Sequence, residues 1–343
     1  MDNPLVSVIV LNFNGLRFLD PCLRTVLNQG YSPFEVLLVD NDSRDGSPAY
    51  VEKHFPGVRL IHSGANLGFA GGNNLGVARA KGELIVLLNN DTTVEEGWLQ
   101  GLVEAVSREN VAIASSFVLT EGIPARYYER NGSVNLVGHN IMRVFSRPEE
   151  ILYAGGTSMI FRKSIVDVPF EDLYFAYSED LYCSLRARFK GYQVVQAPSS
   201  VVRHVGSGTA RTTASSTLTM LRERNRLLTI VLFFDRWTLI RIIPFFAGNM
   251  LAKVMIAVLS GRYSLPGLIR AYLWFPINVR WIIGKRRGLR RERICQEQEI
   301  LSLMSARLTN GESAAGRLIN RMSLFYCRMT GLRTIEIERG NAG

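Results

Sequence analysis

Residues 84–92 read Leu-Ile-Val-Leu-Leu-Asn-Asn-Asp-Thr, an uncharged apolar run that stops abruptly on two amides and a carboxylate. Apolar side chains at consecutive positions need cover on both faces, as in a strand of a parallel sheet flanked by helices. Open sheets of that kind bind ligands outside the carboxyl ends of their strands. Asp91 therefore falls where a ligand to a hard cation or a phosphate is needed. The same residue would also cap a helix beginning near Val94. The run alone leaves both roles open.

The preceding residues fix the fold class. Residues 5–11 (LVSVIVL) read as a buried strand ended by the turn residues Asn12-Phe13-Asn14-Gly15. Residues 16–28 have helical apolar spacing. Residues 34–39 form a second strand, closed by Asp40-Asn41-Asp42-Ser43. A helix follows from Ser47, with Pro48 favourable at its first position. Residues 58–62 read as a third strand, 64–74 as a Gly/Asn-rich loop, and 75–80 as a helix leading into the strand at 84. This alternation predicts an α/β, doubly wound, mostly parallel sheet. Asn12, Asp40 with Asp42, Asn66 with Asn73, and Asp91 then line one sheet edge. Gly68, Gly71 and Gly72 would let backbone approach a ligand closely. The chain has neither a GxGxxG after its first strand nor a GxxxxGK[ST], so this edge must hold phosphates by other means. A divalent cation on Asp91, Mg²⁺ or Mn²⁺, is the simplest.

Past residue 111 the pattern loosens. Residues 111–119 and 154–161 read as strands, 123–150 as loops and short strands, and 175–190 as a helix opening at Ser178-Glu179-Asp180. Residues 193–195 and 200–204 read as two short extended pieces, and 206–217 as a mobile loop. From residue 218 strongly apolar helical stretches follow (227–234, 239–252, 254–259, 265–283), broken by charge or proline. No window supplies the roughly 20 uncharged residues of a confident membrane span. Lys and Arg among Trp237, Trp274 and Trp281 suit helices lying in a membrane interface, and a packed helical domain is the competing reading. The stretch 239–259 could enter a bilayer if Lys253 snorkels.

The net charge of +10 asks for an anionic partner. It concentrates in residues 280–293, which suits an anionic membrane surface; a solvated helix face is the alternative. No nucleic-acid recognition motif accompanies it, so no nucleic-acid partner is expected. The four cysteines lie at no CxxC spacing, which suggests neither a zinc site nor a disulfide framework and fits a reducing compartment. No signal peptide precedes the first strand, so the catalytic part is expected at the cytoplasmic face of the inner membrane.

The segments VSVIVLNFNG (6–15), VLLVDNDSRDGS (36–47), NLGFAGGNN (66–74), ELIVLLNNDT (83–92), AGGTSMIFRKS (154–164), FAYSEDLYCSLRARFKGYQV (175–194) and VVRHVGSGT (201–209) together resemble a family 2 glycosyltransferase of the GT-A fold. The wording of NLGFAGGNNLG is most similar to the rhamnosyltransferase-type branch. The resemblance covers roughly residues 5–230. It implies a catalytic domain over 1–225 and a membrane-associated helical region over 226–343.

The resemblance also implies roles. Asp40 and Asp42 match the nucleobase and ribose contacts, with Asn12, Asn66, Gly68 and Asn73 around the same nucleotide-sugar pocket. Asn89-Asn90-Asp91 takes the place of the DxD motif, with the first acid amidated, so Asp91 alone brings a charged metal ligand. His204 matches a histidine that completes the metal shell in some relatives; a satisfied strand-end histidine is the plain alternative. Asp180 matches the catalytic base, its ionised form favoured by a helix N-terminus, and Glu179 is placed to orient an acceptor hydroxyl. Relatives carry another acid where this chain has Tyr182, which implies a different acceptor pocket. Arg211, in the 206–217 loop, would close over the diphosphate. Arg222, Arg224 and Arg226 would touch phosphates or line a solvated helix face. The expected partners are a nucleotide-diphospho-sugar donor, dTDP-rhamnose first and UDP-hexoses next, and a glycan or polyprenyl-diphosphate-linked acceptor. A nucleotidyltransferase is disfavoured because residues 12–17 lack a Gly/Arg-rich loop with lysine. A non-catalytic membrane scaffold stands against the joint presence of Asp91, Asp180 and His204.

Overall fold

A computed structural model describes residues 3–121, 133–140, 150–206, 215–309, 311 and 313–341. The backbone divides into two compact units. The first comprises residues 1–132, 143–187 and 192–208, and the second 133–142, 188–191 and 209–343.

The first unit is built on one eight-stranded sheet in the order β3-β2-β1-β4-β7-β6-β8-β5. Its parallel half joins β1 (Val6–Asn12), β2 (Phe34–Asp40), β3 (Arg59–His62) and β4 (Leu84–Asn89). β7 (Ser158–Arg162) runs antiparallel to β4 and to β6 (Val111–Thr120). β8 (Gln193–His204) pairs parallel with β6, and the short β5 (Thr92–Val94) pairs antiparallel with β8. The consecutive apolar residues of β1, β2 and β4 are buried on both faces, as their lack of alternation requires. On one side Val8, Val10, Leu38, Val86 and Ile160 share a core with α1 (Leu16–Leu27), α2 (Ser47–His54) and α4 (Trp98–Val106). On the other, α3 (Gly68–Arg79) lies so close that a Cβ on Gly76 would sit 2.6 Å from Ile9 Cγ2, and one on Gly72 2.5 Å from Leu11 Cδ1. α5 (Glu179–Phe189) follows a short 3₁₀ turn, Asp172–Tyr174.

Several expectations change. The Gly/Asn-rich stretch is a loop only as far as Leu67, because α3 begins at Gly68. Its glycines serve close helix–sheet approach, and the Asn73 amide turns back onto the Phe69 carbonyl of its own helix at 2.9 Å. Asp91 caps no helix: β5 follows it directly, and α4 starts at Trp98 after a left-handed Gly97. The two extended pieces near 193 and 200 are one strand, with a register shift opposite Ser116 and Phe117. The strand expected over 154–161 forms later, at Ser158–Arg162. Much of the 123–150 excursion and of the 206–217 loop, Arg211 included, lies outside the described residues.

The second unit contains α6 (Ser216–Phe233), α7 (Arg236–Ser260), α8 (Leu265–Ile277), α9 (Val279–Glu292), α10 (Glu297–Leu301), α11 (Ala314–Thr330) and α12 (Ile335–Asn341). Ser215 caps α6 by accepting the Leu218 N–H. α7 runs unbroken for 25 residues through Pro244, uniting stretches that read as separate. It is long and apolar enough to cross a membrane by length and composition alone. Lys253 does not snorkel: its ammonium is buried against Glu223 of α6. Arg226 also pairs with Glu223, at 2.6 Å, and Tyr272 donates to the same carboxylate at 3.1 Å. Arg224 and Arg226 are buried, so neither lines a solvated face. Part of the basic cluster is likewise engaged in the fold. Arg290 and Arg293 pair with Asp235 at 2.7 and 3.1 Å, and Arg286 donates to the Phe234 carbonyl.

Candidate active site

The carboxyl ends of β1, β2 and β4 stop in register, Asn12 beside Asp40 and Leu11 beside Asn89. Each strand delivers its polar end to one edge. Asn12 is fully buried there and acts as a strut. Its amide nitrogen donates to Ser43 Oγ (3.1 Å) and Ser47 Oγ (2.8 Å), and its oxygen accepts from Asn90 Nδ2 at 2.7 Å. The middle residue of Asn89-Asn90-Asp91 is thereby fixed to the end of β1.

Asp40 is 4% exposed, accepts the Ser43 N–H at 3.2 Å, and lies 3.5 Å from His62 Nδ1. Asp42 sits on a left-handed turn (φ 67°) with its carboxylate turned outward, 3.7 Å from Arg44. Asn41, between them, donates to the Asn66 side chain and the Gly68 carbonyl, both at 3.1 Å, and accepts the Leu67 N–H at 2.9 Å. It joins the β2 loop to the start of α3, a role that a search for charged residues passes over. Asn66 remains exposed on the outer side of that link, while Asn73 is buried within α3. Gly68 is required: its φ is +71°, and a Cβ would sit 2.5 Å from the Phe175 carbonyl oxygen.

β5 brings Asp91 to His204. Thr92 pairs with His204 across the strands, and the Val205 N–H donates to the Asp91 carbonyl at 3.0 Å. The side chains then converge, with His204 Nε2 3.2 Å from Asp91 Oδ2 and both side chains 16% exposed. Two cis ligands of an octahedral ion bound at ~2.1 Å stand about 3 Å apart. The pair therefore fits two positions of a divalent cation's shell, leaving the rest to phosphate oxygens and water. No third His, Cys, Asp or Glu joins them among the described residues.

The other half of the site is the start of α5. The Asn89 N–H donates to the Thr157 carbonyl at 3.0 Å, and the adjacent Gly156 N–H donates to Asp180 Oδ2 at 3.3 Å. One short turn thus links the end of β4 to the carboxylate at the head of α5. Leu181 N–H donates to Asp180 Oδ1 at 2.8 Å. Glu179 is buried, and its Oε2 has no hydrogen-bond partner among the described residues. Burial pushes both carboxyls above the usual carboxylate range and so works against the helix terminus expected to favour ionised Asp180. Glu179 rises further, because the Asp180 charge adds to its burial, whereas backbone N–H groups offset part of the rise at Asp180. Of the two, burial and the neighbouring charge disfavour ionisation of Glu179 more strongly.

Phe175, Tyr177 and Ser178 all have positive φ (58°, 74° and 65°), immediately before that pair. With Asn14 and Asp42 they are all the non-glycine positive-φ residues described, and every one sits in a loop of this edge. Tyr182 is buried with its ring 5.3 Å from Tyr174, so it packs α5 against the preceding turn.

The family model "Glycosyl transferase family 2" matches residues 7–168. A Streptococcus pneumoniae glycosyltransferase, GlyG, is 30% identical over 112 residues, which cover 32% of this chain and 37% of that protein. The chain thus spans well under half the length of the first curated relatives it matches. A Mycobacterium tuberculosis N-acetylglucosaminyl-diphospho-decaprenol L-rhamnosyltransferase is 26% identical over 247 residues, 62% of this chain and 80% of that one. Among solved structures, GalNAc-T7 with UDP, GalNAc and Mn²⁺ superposes with a TM-score of 0.58 at 14% identity, over 68% of this chain and 48% of that one. S. aureus TarS 1-349 in complex with UDP-GlcNAc gives 0.54 at 14% identity, over 93% and 88%. Sequence match and fold agree: residues 7–168 of this chain are a glycosyl transferase family 2 domain, carried on a GT-A-type sheet.

Proposed function

We propose that the protein is an inverting glycosyltransferase that moves a sugar from a nucleotide-diphospho-sugar to a lipid-linked glycan acceptor. The observation that carries this is the Asp180 carboxylate, fixed by Gly156 and Leu181 N–H groups one turn from the end of β4, after which Asp91 meets His204 of β8. Asp180, as the ionised member of its pair, takes the proton from the attacking acceptor hydroxyl. Glu179, held toward its protonated form by burial, is a poor nucleophile, which favours a single in-line displacement with inversion. It instead orients the acceptor. Asp40 and Asp42 bind base and ribose; Asn66, Gly68 and Asn73 shape the neighbouring wall; Asn89 and Asn90, the latter held by Asn12, line the sugar-facing edge. Asp91 and His204 would hold a divalent cation, which when bound offsets charge on the leaving diphosphate.

The mycobacterial relative's name supports rhamnose as the sugar and a polyprenyl-diphosphate-linked acceptor. dTDP-rhamnose is the first donor to test and UDP-hexoses the next. A lipid-linked acceptor agrees with the apolar, basic second unit, and we place the enzyme at the cytoplasmic face of the inner membrane. The test is a thermal-shift and nucleotide-release screen of purified protein against sugar nucleotides, with Mn²⁺, Mg²⁺ or EDTA. One donor should raise the melting temperature in a metal-dependent way. No shift with any donor would favour a non-catalytic scaffold.

A further inference from the structure

α11 is amphipathic with its faces exchanged. Its buried residues are Gly316, Ser323 and Cys327, and half-buried Asn320 lies on the same side. Those polar groups are engaged inward: Ser323 donates to the Ala306 carbonyl, and Asn320 accepts the Leu308 and Thr309 N–H groups. The outward side carries Leu318, Met322, Phe325 and Met329, which are 58%, 63%, 66% and 72% exposed. At 100° per residue these four fall within an arc of about 60°. Arg317, Arg321 and Arg328 fall together along one flank of that arc, and residues 314–333 contain no Asp or Glu. A soluble helix hides its large apolar side chains; this helix turns them outward, beside its arginines.

α11 does not stand alone. The Tyr326 hydroxyl donates to the Arg241 carbonyl of α7 at 2.8 Å, and its ring packs edge-on to Phe245 at 5.2 Å. α7 shows the same exchange: Lys253 is buried, while Trp237, Ile240, Ile243, Leu251 and Val258 are each more than half exposed. The two helices therefore offer adjoining apolar surfaces, far beyond the scattered exposed side chains of a soluble monomer.

We infer that α11, alongside α7, is the face by which this protein enters an anionic bilayer, lying in the interface with its arginine row at the headgroups. This rests on the membrane reading given above and deepens it, by moving the insertion face from the basic α9 to α11. Charge selects the occupant. A second copy seated on the same face would bring Arg317, Arg321 and Arg328 towards their own kind with no acid on the helix to meet them. Anionic headgroups complement that row. Those arginines also keep α11 from spanning, whereas an interfacial helix needs them.

The test uses the full-length chain in co-sedimentation with phosphatidylglycerol-containing and pure phosphatidylcholine vesicles, beside a Met322→Asp/Phe325→Asp variant. Both side chains are exposed, so the fold should survive; an unchanged donor-induced thermal shift would confirm that the first unit is intact. Wild type should bind the anionic vesicles more tightly than the neutral ones, and the variant should lose roughly tenfold or more in partitioning. A Phe325→Trp variant should show more blue-shifted emission on mixing with anionic vesicles than wild type, whose signal comes from Trp237 and its other tryptophans. Equal binding by wild type and the double variant would overturn the α11 face and leave the membrane reading standing. Failure of wild type to bind any vesicle would remove both. A vesicle-indifferent wild-type dimer that the double variant renders monomeric would assign the face to a second copy instead.

Discussion

In the first unit Val8, Val10, Leu38 and Val86 face inward, and the polar ends of their strands gather at one edge. In the second, α7 and α11 bury Lys253, Ser323 and Cys327 and turn Leu251, Val258, Phe325 and Met329 outward. The first pattern is what water selects, through burial of apolar surface. The second follows when the surroundings are themselves apolar and a polar group is cheaper to satisfy inside the protein. The buried charges agree with this contrast. The site's carboxyl pair is left partly unpartnered, with Glu179 Oε2 free of hydrogen bonds among the described residues. In the second unit, by contrast, Glu223 is met by Arg226, Lys253 and Tyr272 at once. The first arrangement leaves hydrogen-bonding capacity open; the second fastens helices.

That contrast can be broken at its strongest point by Glu223→Gln. The substitution leaves the buried Lys253 and Arg226 without their counter-charge and should cost about 3 kcal/mol or more, read as a lower denaturation midpoint. Donor-induced stabilisation should persist at temperatures where the variant is folded. An unchanged midpoint would mean that the cluster is incidental.

Asp91→Asn should weaken Mn²⁺ affinity by at least about tenfold and remove the metal dependence of donor binding, with little change in stability. His204→Ala should act in the same direction and less. Equal metal titrations for wild type and Asp91→Asn would dissociate the pair from any cation.

The raised carboxyls give a pH dependence of definite sign. Glu179 keeps its proton in the folded protein at pH values where the unfolded chain has lost it. Wild type should therefore lose stability as pH rises above the ordinary glutamate value near ~4.3. Glu179→Gln should melt like wild type near pH 4.5 and progressively higher than wild type towards pH 8. A constant gap across that range would contradict the assignment. The rate should move the opposite way, with kcat/KM falling on acidification through the raised pKa of Asp180.

The smallest effects belong to α9. Arg290→Ala removes a half-exposed pair with Asp235 and should cost no more than about 1 kcal/mol. Arg287→Ala, on the exposed side, should leave the melting temperature unchanged.

Much of the parallel half was legible because β1, β2 and β4 are continuous apolar runs, each ending in polar residues. The family motifs supplied Asp180 and His204, which no local pattern marks. What stayed hidden depends on contacts distant in sequence. β5 is three residues long and exists only through β8. The first half of α3 looked like a loop because its glycines are there for the sheet beneath them. Asn41 is an uncharged residue between two acids, and its three bonds show only in three dimensions. The doubled glycine at 155–156 was the available hint of close approach beside Asp180. In the second unit, composition announced apolar helices and clustered arginines, but not which face each helix would turn outward. Arg290 and Arg293 read as membrane contacts from sequence, yet both fold back onto Asp235.

The central claim is that Asp180 deprotonates the acceptor on a sheet edge that binds the donor independently. The most direct test compares wild type with Asp180→Asn for sugar transfer from dTDP-rhamnose to a polyprenyl-diphosphate-linked N-acetylglucosamine, with donor affinity measured on the same preparations. The account predicts a loss in kcat of roughly 10²- to 10⁴-fold with donor affinity nearly unchanged. Turnover by Asp180→Asn at the wild-type rate would contradict it.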